Sequence, residues 1–102
     1  MEITVIIVST RPGRQGDKVG KWIADYTKED VRFQVSLADL AEINLPMMDE
    51  PNHPRLKQYT KEHTKAWSKR IEAADGFIIV TPEYNFSAPA PLVNALDYLG
   101  NE

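Results

Sequence analysis

Three apolar runs and three amphipathic stretches alternate along the chain. The first run, "ITVIIV" at Ile3–Val8, is continuous and β-branched, the pattern of a strand covered on both faces of a parallel sheet. After the polar segment "STRPGRQGDK", Val19, Trp22, Ile23 and Tyr26 recur at helical spacing. They predict the buried stripe of a first helix, with Asp17 near its start. "VRFQVSL" alternates, placing Val31, Phe33 and Val35 on one face of a second strand, nearer a sheet edge. The connection "ADLAEINLPMMDEPNHP" leads to a second helix predicted over Arg55–Ala74, with Leu56, Tyr59, His63, Trp67, Ile71 and Ala74 on one side. "GFIIV" at Gly76–Val80 reads as a third strand, again buried in character. A third helix is predicted from about Pro91, a residue favoured at the first helical position. Leu92, Ala95, Leu96 and Leu99 form its stripe, and Gly100 suits its end.

Strands alternating with helices define an α/β fold with a parallel sheet and right-handed crossovers. The expected strand order is 2-1-3, within one domain over residues 1–102. Three strands leave an edge that a fourth would normally cover.

Composition narrows the function classes. The chain has 102 residues, 42 % of them hydrophobic, enough for a single modest core. A formal charge of −3 lacks the strong basic field of a nucleic-acid binder. The absence of cysteine removes disulfides, thiolate nucleophiles and zinc–thiolate sites, and fits a reducing cytoplasm. No apolar run reaches the ~18 residues of a membrane span, and no signal-peptide pattern opens the sequence. His53 and His63 make no metal-ligand pattern, and His63 reads as a packing residue. Lys57, Lys61, Lys65 and Lys69 repeat at four-residue spacing, which like charges tolerate only on a solvated face.

Chemistry concentrates in two loops. "STRPGRQG", Ser9–Gly16, joins the first strand to the first helix, whose N-terminus offers unpaired N–H groups to an anion. Its hydroxyls and the guanidinium groups of Arg11 and Arg14 suit a phosphate. Its glycines match neither the Walker pattern nor the dinucleotide fingerprint. The second loop, Pro82–Ser87, follows the third strand and is stiffened by the prolines around it. In a sheet of order 2-1-3 both loops open into the crevice between strands one and three, where doubly wound folds bind ligands.

"TPEYNFSAPAPLVNALDYL" resembles the signature loop and helix of the NAD(P)H-dependent FMN reductases, flavodoxin-like enzymes related to quinone and azo reductases. "STRPGRQGDKVGKWI" resembles the phosphate loop of that family, and "INLPMMDEP" its Leu-Pro-x-x-Asp-Glu-Pro segment. The resemblance implies FMN with its phosphate on Ser9, Arg11, Arg14, Gln15 and Gly16. It places the ribityl chain and isoalloxazine edge against Pro82, Glu83, Tyr84, Asn85 and Phe86. It implies hydride passing from NAD(P)H through FMN to a quinone, flavin or azo acceptor, with no catalytic side chain and no metal. Together with the exposed sheet edge it implies a homodimer or higher homo-oligomer, while charge and composition make a cytoplasmic protein with no nucleic-acid or membrane partner the expectation. The family fold resembles a five-stranded sheet, so the chain corresponds to its N-terminal portion without the last two strands. Two other readings remain open at this point: a non-catalytic flavodoxin-like fragment or oligomer with weak or no flavin binding, and a flavodoxin-style electron carrier.

Overall fold

The computed structural model describes residues 1–102. Strand β1 (Glu2–Ile7) lies between β2 (Gln34–Asp39) and β3 (Gly76–Val80), all parallel, in the order β2-β1-β3. Register runs from Glu2 opposite Gln34 to Ile7 opposite Asp39 on one side, and from Ile3 opposite Gly76 to Ile7 opposite Val80 on the other. Helix α1 (Gly16–Lys28) crosses between β1 and β2; a short helix α2 (Leu40–Ile43) follows β2 directly. A single 3-10 turn at Pro54–Leu56 precedes α3 (Glu62–Glu72), which returns the chain to β3, and α4 (Ala90–Asp97) closes the described order. No helix is long and apolar enough to cross a membrane.

The core divides at the sheet. On one face Ile6 and Val8 pack with Ala38, Leu40, Trp67, Ile71, Ala95 and Tyr98, so α3 and α4 share one apolar layer. The Trp67 indole donates to the Ala95 carbonyl at 3.0 Å and ties these two helices together. The other face carries α1, where Gly20 and Ala24 are buried against the sheet. A Cβ at Gly20 would lie 2.6 Å from Ile7 Cδ1, so this glycine sets how closely α1 approaches β1.

That close approach corrects the first helical stripe. Trp22 and Tyr26 are each 63 % exposed, Val19 is exposed as well, and Ile23 alone of the predicted four is half-buried. Gly20, Ile23, Ala24 and Thr27 face the sheet instead. Two of these four side chains are too small to register as hydrophobic, so the visible stripe is displaced around the helix. Trp22 and Tyr26 stack on each other at 5.7 Å outside the core.

Four other expectations change. Strand β2 begins at Gln34, and Val31, 99 % exposed, lies in the preceding turn. Helix α3 begins at Glu62 and not Arg55, because Lys57 takes a left-handed conformation (φ 51°) that ends the 3-10 turn and breaks the helical path. Strand β3 has the predicted bounds, but Phe77 and Ile79 are exposed: β3 is an edge, and its apolar residues have cover on one side only. Leu96 in α4 is exposed beside them, while Asn94 and Tyr98 turn inward.

Candidate functional site

The two loops spring from neighbouring strand ends and share a root. The Val8 amide donates to the Val80 carbonyl at 3.0 Å, one step beyond the β1–β3 ladder. From there the chain diverges into Ser9–Gln15 on one side and Thr81–Pro89 on the other.

The first loop is shaped by a tight turn. Arg14 N–H donates to the Arg11 carbonyl at 3.1 Å, with Pro12 and Gly13 between them and Gly13 at φ 75°. Proline second and glycine third is the order that a type II turn requires. The turn delivers the chain to Gln15, the N-terminal cap position of α1, without a side-chain cap bond. The first helical bonds run from Lys18 and Val19 to the Gln15 carbonyl. The Gly16 and Asp17 amides, at the positive end of the helix, therefore have no partner within the helix.

The second loop folds back on itself. Tyr84 and Ser87 exchange backbone hydrogen bonds of 3.1 and 3.0 Å across Asn85 and Phe86. Both central residues have positive φ, 53° and 63°, as a type I′ turn demands. Asparagine accepts that conformation readily; phenylalanine does not, and Phe86 points outward, 97 % exposed. A strained, exposed aromatic at a loop tip is the kind of outlier that functional sites retain.

Between the loops lies a cleft of about 310 Å³ lined by Ser9, Arg11, Gln15, Gly16, Val19, Val80, Thr81, Pro82 and Tyr84. Six of the residues singled out from sequence thus meet around one cavity. Arg11 stands exposed there with no ion-pair partner. Glu83, Asn85 and Phe86 sit on the adjoining hairpin, outside the cavity wall.

Arg14 has a different environment. Its guanidinium reaches away from the cleft to Asp39, with Nη1–Oδ1 2.6 Å and Nη2–Oδ2 2.7 Å, and donates also to the Ser9 carbonyl at 2.9 Å. Asp39 is the last residue of β2 and the cap of α2, where it accepts from the Ala41 amide at 3.1 Å. The Arg14 bond holds the Asp39 carboxyl below its ordinary range against the opposing effect of burial, and Asp39 in turn raises Arg14. Sequence reasoning passed over Asp39, which lies 25 residues from its partner.

A second cluster secures the proline-rich connection behind the site. Asn94 in α4 accepts from the Met48 amide and donates to the Pro46 carbonyl, both at 2.8 Å. The Tyr98 hydroxyl donates to the same carbonyl at 2.7 Å. His63, half-buried, meets Asp49 at 2.9 Å and stands edge-on to Tyr98 at 5.8 Å. The asparagine of "LVNALDYL" is therefore a strut between α4 and the Leu45–Asp49 segment. No three His, Asp or Glu side chains come together as metal ligands.

A three-stranded flavodoxin-like α/β domain with an anion-suited cleft at its switch point is the class these features define. The chain belongs to the family described as NADPH-dependent FMN reductase, which matches it over residues 1–102. It is 43 % identical to an NAD(P)H-dependent FMN reductase of Schizosaccharomyces pombe over 99 % of this chain and 52 % of that protein. An NADPH azoreductase of Bacillus sp. is 33 % identical over 99 % of the chain and 51 % of its own length. A quinone reductase of Escherichia coli is 28 % identical over 97 % and 50 %, respectively. The chain thus spans about half the length of the curated relatives it matches.

Proposed function

We propose that the chain is the FMN-binding portion of an NAD(P)H-dependent oxidoreductase that reduces a small quinone, flavin or azo acceptor. The observation that carries this is the cleft itself: Ser9, Arg11, Gln15 and Gly16 face Pro82 and Tyr84 across one cavity. The donor set fits a flavin mononucleotide. An unpaired guanidinium, a serine hydroxyl and the first amides of α1 suit a phosphate dianion. The stiff Pro82–Ser87 hairpin offers backbone groups and an aromatic side chain to a planar ring. FMN, when bound, supplies the hydride chemistry. The protein's own part is to anchor the phosphate, hold the ring edge against Pro82–Phe86 and aim backbone N–H dipoles at it. No side-chain acid, base or nucleophile is assigned.

Supporting the same reading, relatives with these activities in their names align along nearly the whole chain. The cysteine-free composition is compatible with a reducing cytoplasm. The apolar surface left open around β3 supports a homodimer or higher homo-oligomer. The test is direct. Purified protein, with FMN added, should take up the flavin and oxidise NAD(P)H in the presence of a benzoquinone. Protein that stays colourless and leaves NAD(P)H unconsumed overturns the proposal.

One observation favours a second reading, a flavodoxin-like fragment or oligomer without activity. Phe77, Ile79, Leu92 and Leu96 line an open, wholly apolar groove beside the β3 edge. Sedimentation combined with an FMN titration separates the two: an assembly that binds no flavin supports the second.

A further inference from the structure

The two arginines of the first loop have the same residue type and opposite surroundings. Arg11 is exposed at the cleft and unpaired. Arg14 is only 18 % exposed, and Asp39, 8 % exposed, meets it end-on through both terminal nitrogens. Asp17 and Glu42 add further negative charge around Arg14, while Lys21 is the other cation near Asp39. A guanidinium whose terminal nitrogens are both taken by a carboxylate has little remaining attraction for a phosphate, whereas a bidentate pair of this geometry fixes direction as well as distance.

Three pieces of chain meet at this pair. Arg14 also binds the Ser9 carbonyl, so its side chain ties the start of the Ser9–Gln15 loop to the end of the Arg11–Arg14 turn. Asp39 also caps α2 through Ala41. The pair therefore couples the end of β2, the start of α2 and both ends of the phosphate loop.

We propose that the two arginines divide the labour: Arg11 contacts the phosphate, and Asp39 is a positioning residue that acts through Arg14 to hold the loop in its anion-receiving shape. This rests on the FMN reading above, and it names which cation reads the phosphate. It gives Arg14 a supporting task where the sequence alone suggested two equivalent ligands. It also makes a prediction whose sign separates it from direct binding by Arg14. If Arg14 were a phosphate ligand held in check by Asp39, removing the carboxylate would release it and FMN would bind as well or better. If Arg14 is a clasp, removing the carboxylate loosens the loop and FMN binds worse.

The experiment compares FMN with riboflavin, which lacks the phosphate, by flavin-fluorescence titration of the 102-residue chain. For Asp39→Asn the expected result is an FMN affinity lower by at least about tenfold, the loss of one charge-assisted bond, with riboflavin affinity unchanged. Arg14→Lys keeps the charge but not the fork, and should show the same selective loss. Unchanged or tighter FMN binding in either variant overturns the proposal, and so does an equal fall for FMN and riboflavin, the mark of general destabilisation. Should Asp39→Asn fail to fold, the unmodified protein carries the test. In the unmodified protein, nitrogen-detected NMR should show the Arg11 guanidinium resonances moving on addition of FMN but not riboflavin, with those of Arg14 stationary. Arg14 moving as Arg11 does contradicts the division. An unmodified protein that binds neither compound defeats the flavin reading and this inference together. One that prefers FMN while Asp39→Asn binds it equally well defeats this inference alone.

Discussion

Gly20→Ala isolates the contact that seats α1 on the sheet. The added Cβ would stand 2.6 Å from Ile7 Cδ1 and closer still to Cγ1. Ile7 cannot swing aside, because it is only 1 % exposed and lies in the central strand between Asp39 and Val80. Two effects oppose each other. Alanine in a helix interior gains about 1 kcal/mol over glycine. Forcing one carbon into a packed core costs roughly 1–3 kcal/mol. With a clash this close to a buried branch atom, the cost should lie near the middle of that range. The net loss is then about 1 kcal/mol, or a fall in Tm of about 4 °C for a domain of this size. Urea unfolding followed by circular dichroism measures it. Adding Ile7→Ala, which removes both Cγ1 and Cδ1, should cost less in the Gly20→Ala background than alone, with a coupling of at least about 0.5 kcal/mol. A Gly20→Ala protein more stable than the parent would mean that helix propensity alone operates there. The argument that α1 sits close through its small residues would then fail.

Three further outcomes follow from the geometry. Phe86→Gly should raise stability by about 0.5–1 kcal/mol in thermal unfolding, because it relieves a positive φ in a type I′ turn at an exposed position. Asn94→Ala should cost about 1–2 kcal/mol and speed hydrogen exchange at the Met48 amide, whose acceptor is the lost Oδ1. Burial pushes Tyr98 and Tyr59 up to about 12, with Asp49 and Glu102 adding to the effect, respectively. The fold favours their neutral forms, so that contribution is intact below about pH 10, the ordinary phenol value, and is lost as pH climbs toward 12. Ultraviolet titration should show these two tyrosines ionising late, together with alkaline loss of structure.

Sequence pattern carried the architecture because strand burial, loop chemistry and chain order agree with one another. "ITVIIV" has the continuous apolar pattern of a strand covered on both faces, and the glycine- and proline-bearing segment after it reads as a loop. Once the order 2-1-3 is accepted, the two polar loops must open side by side. What stayed hidden depended on size, partners or distance. Gly20 and Ala24 face the sheet, yet their smallness let Trp22 and Tyr26 pose as the buried stripe. Phe77 and Ile79 have the composition of buried strand residues, but apolarity records capacity for burial, and β3 has a neighbour on one side only. Lys57 breaks the second helical pattern through its backbone angle, which its side chain does not announce. Within the site, the two arginines were legible as cations, but the Asp39 that distinguishes them lies on another strand.

The central claim is that one ligand is gripped by both loops at once. Amide resonances followed through an FMN titration test it most directly. The account predicts that the largest shifts fall together on Ser9–Asp17 and Glu83–Asn85, along one saturating curve, with the α3 lysine face silent. Shifts confined to one loop, or centred on Lys61, Lys65 and Lys69, would contradict it.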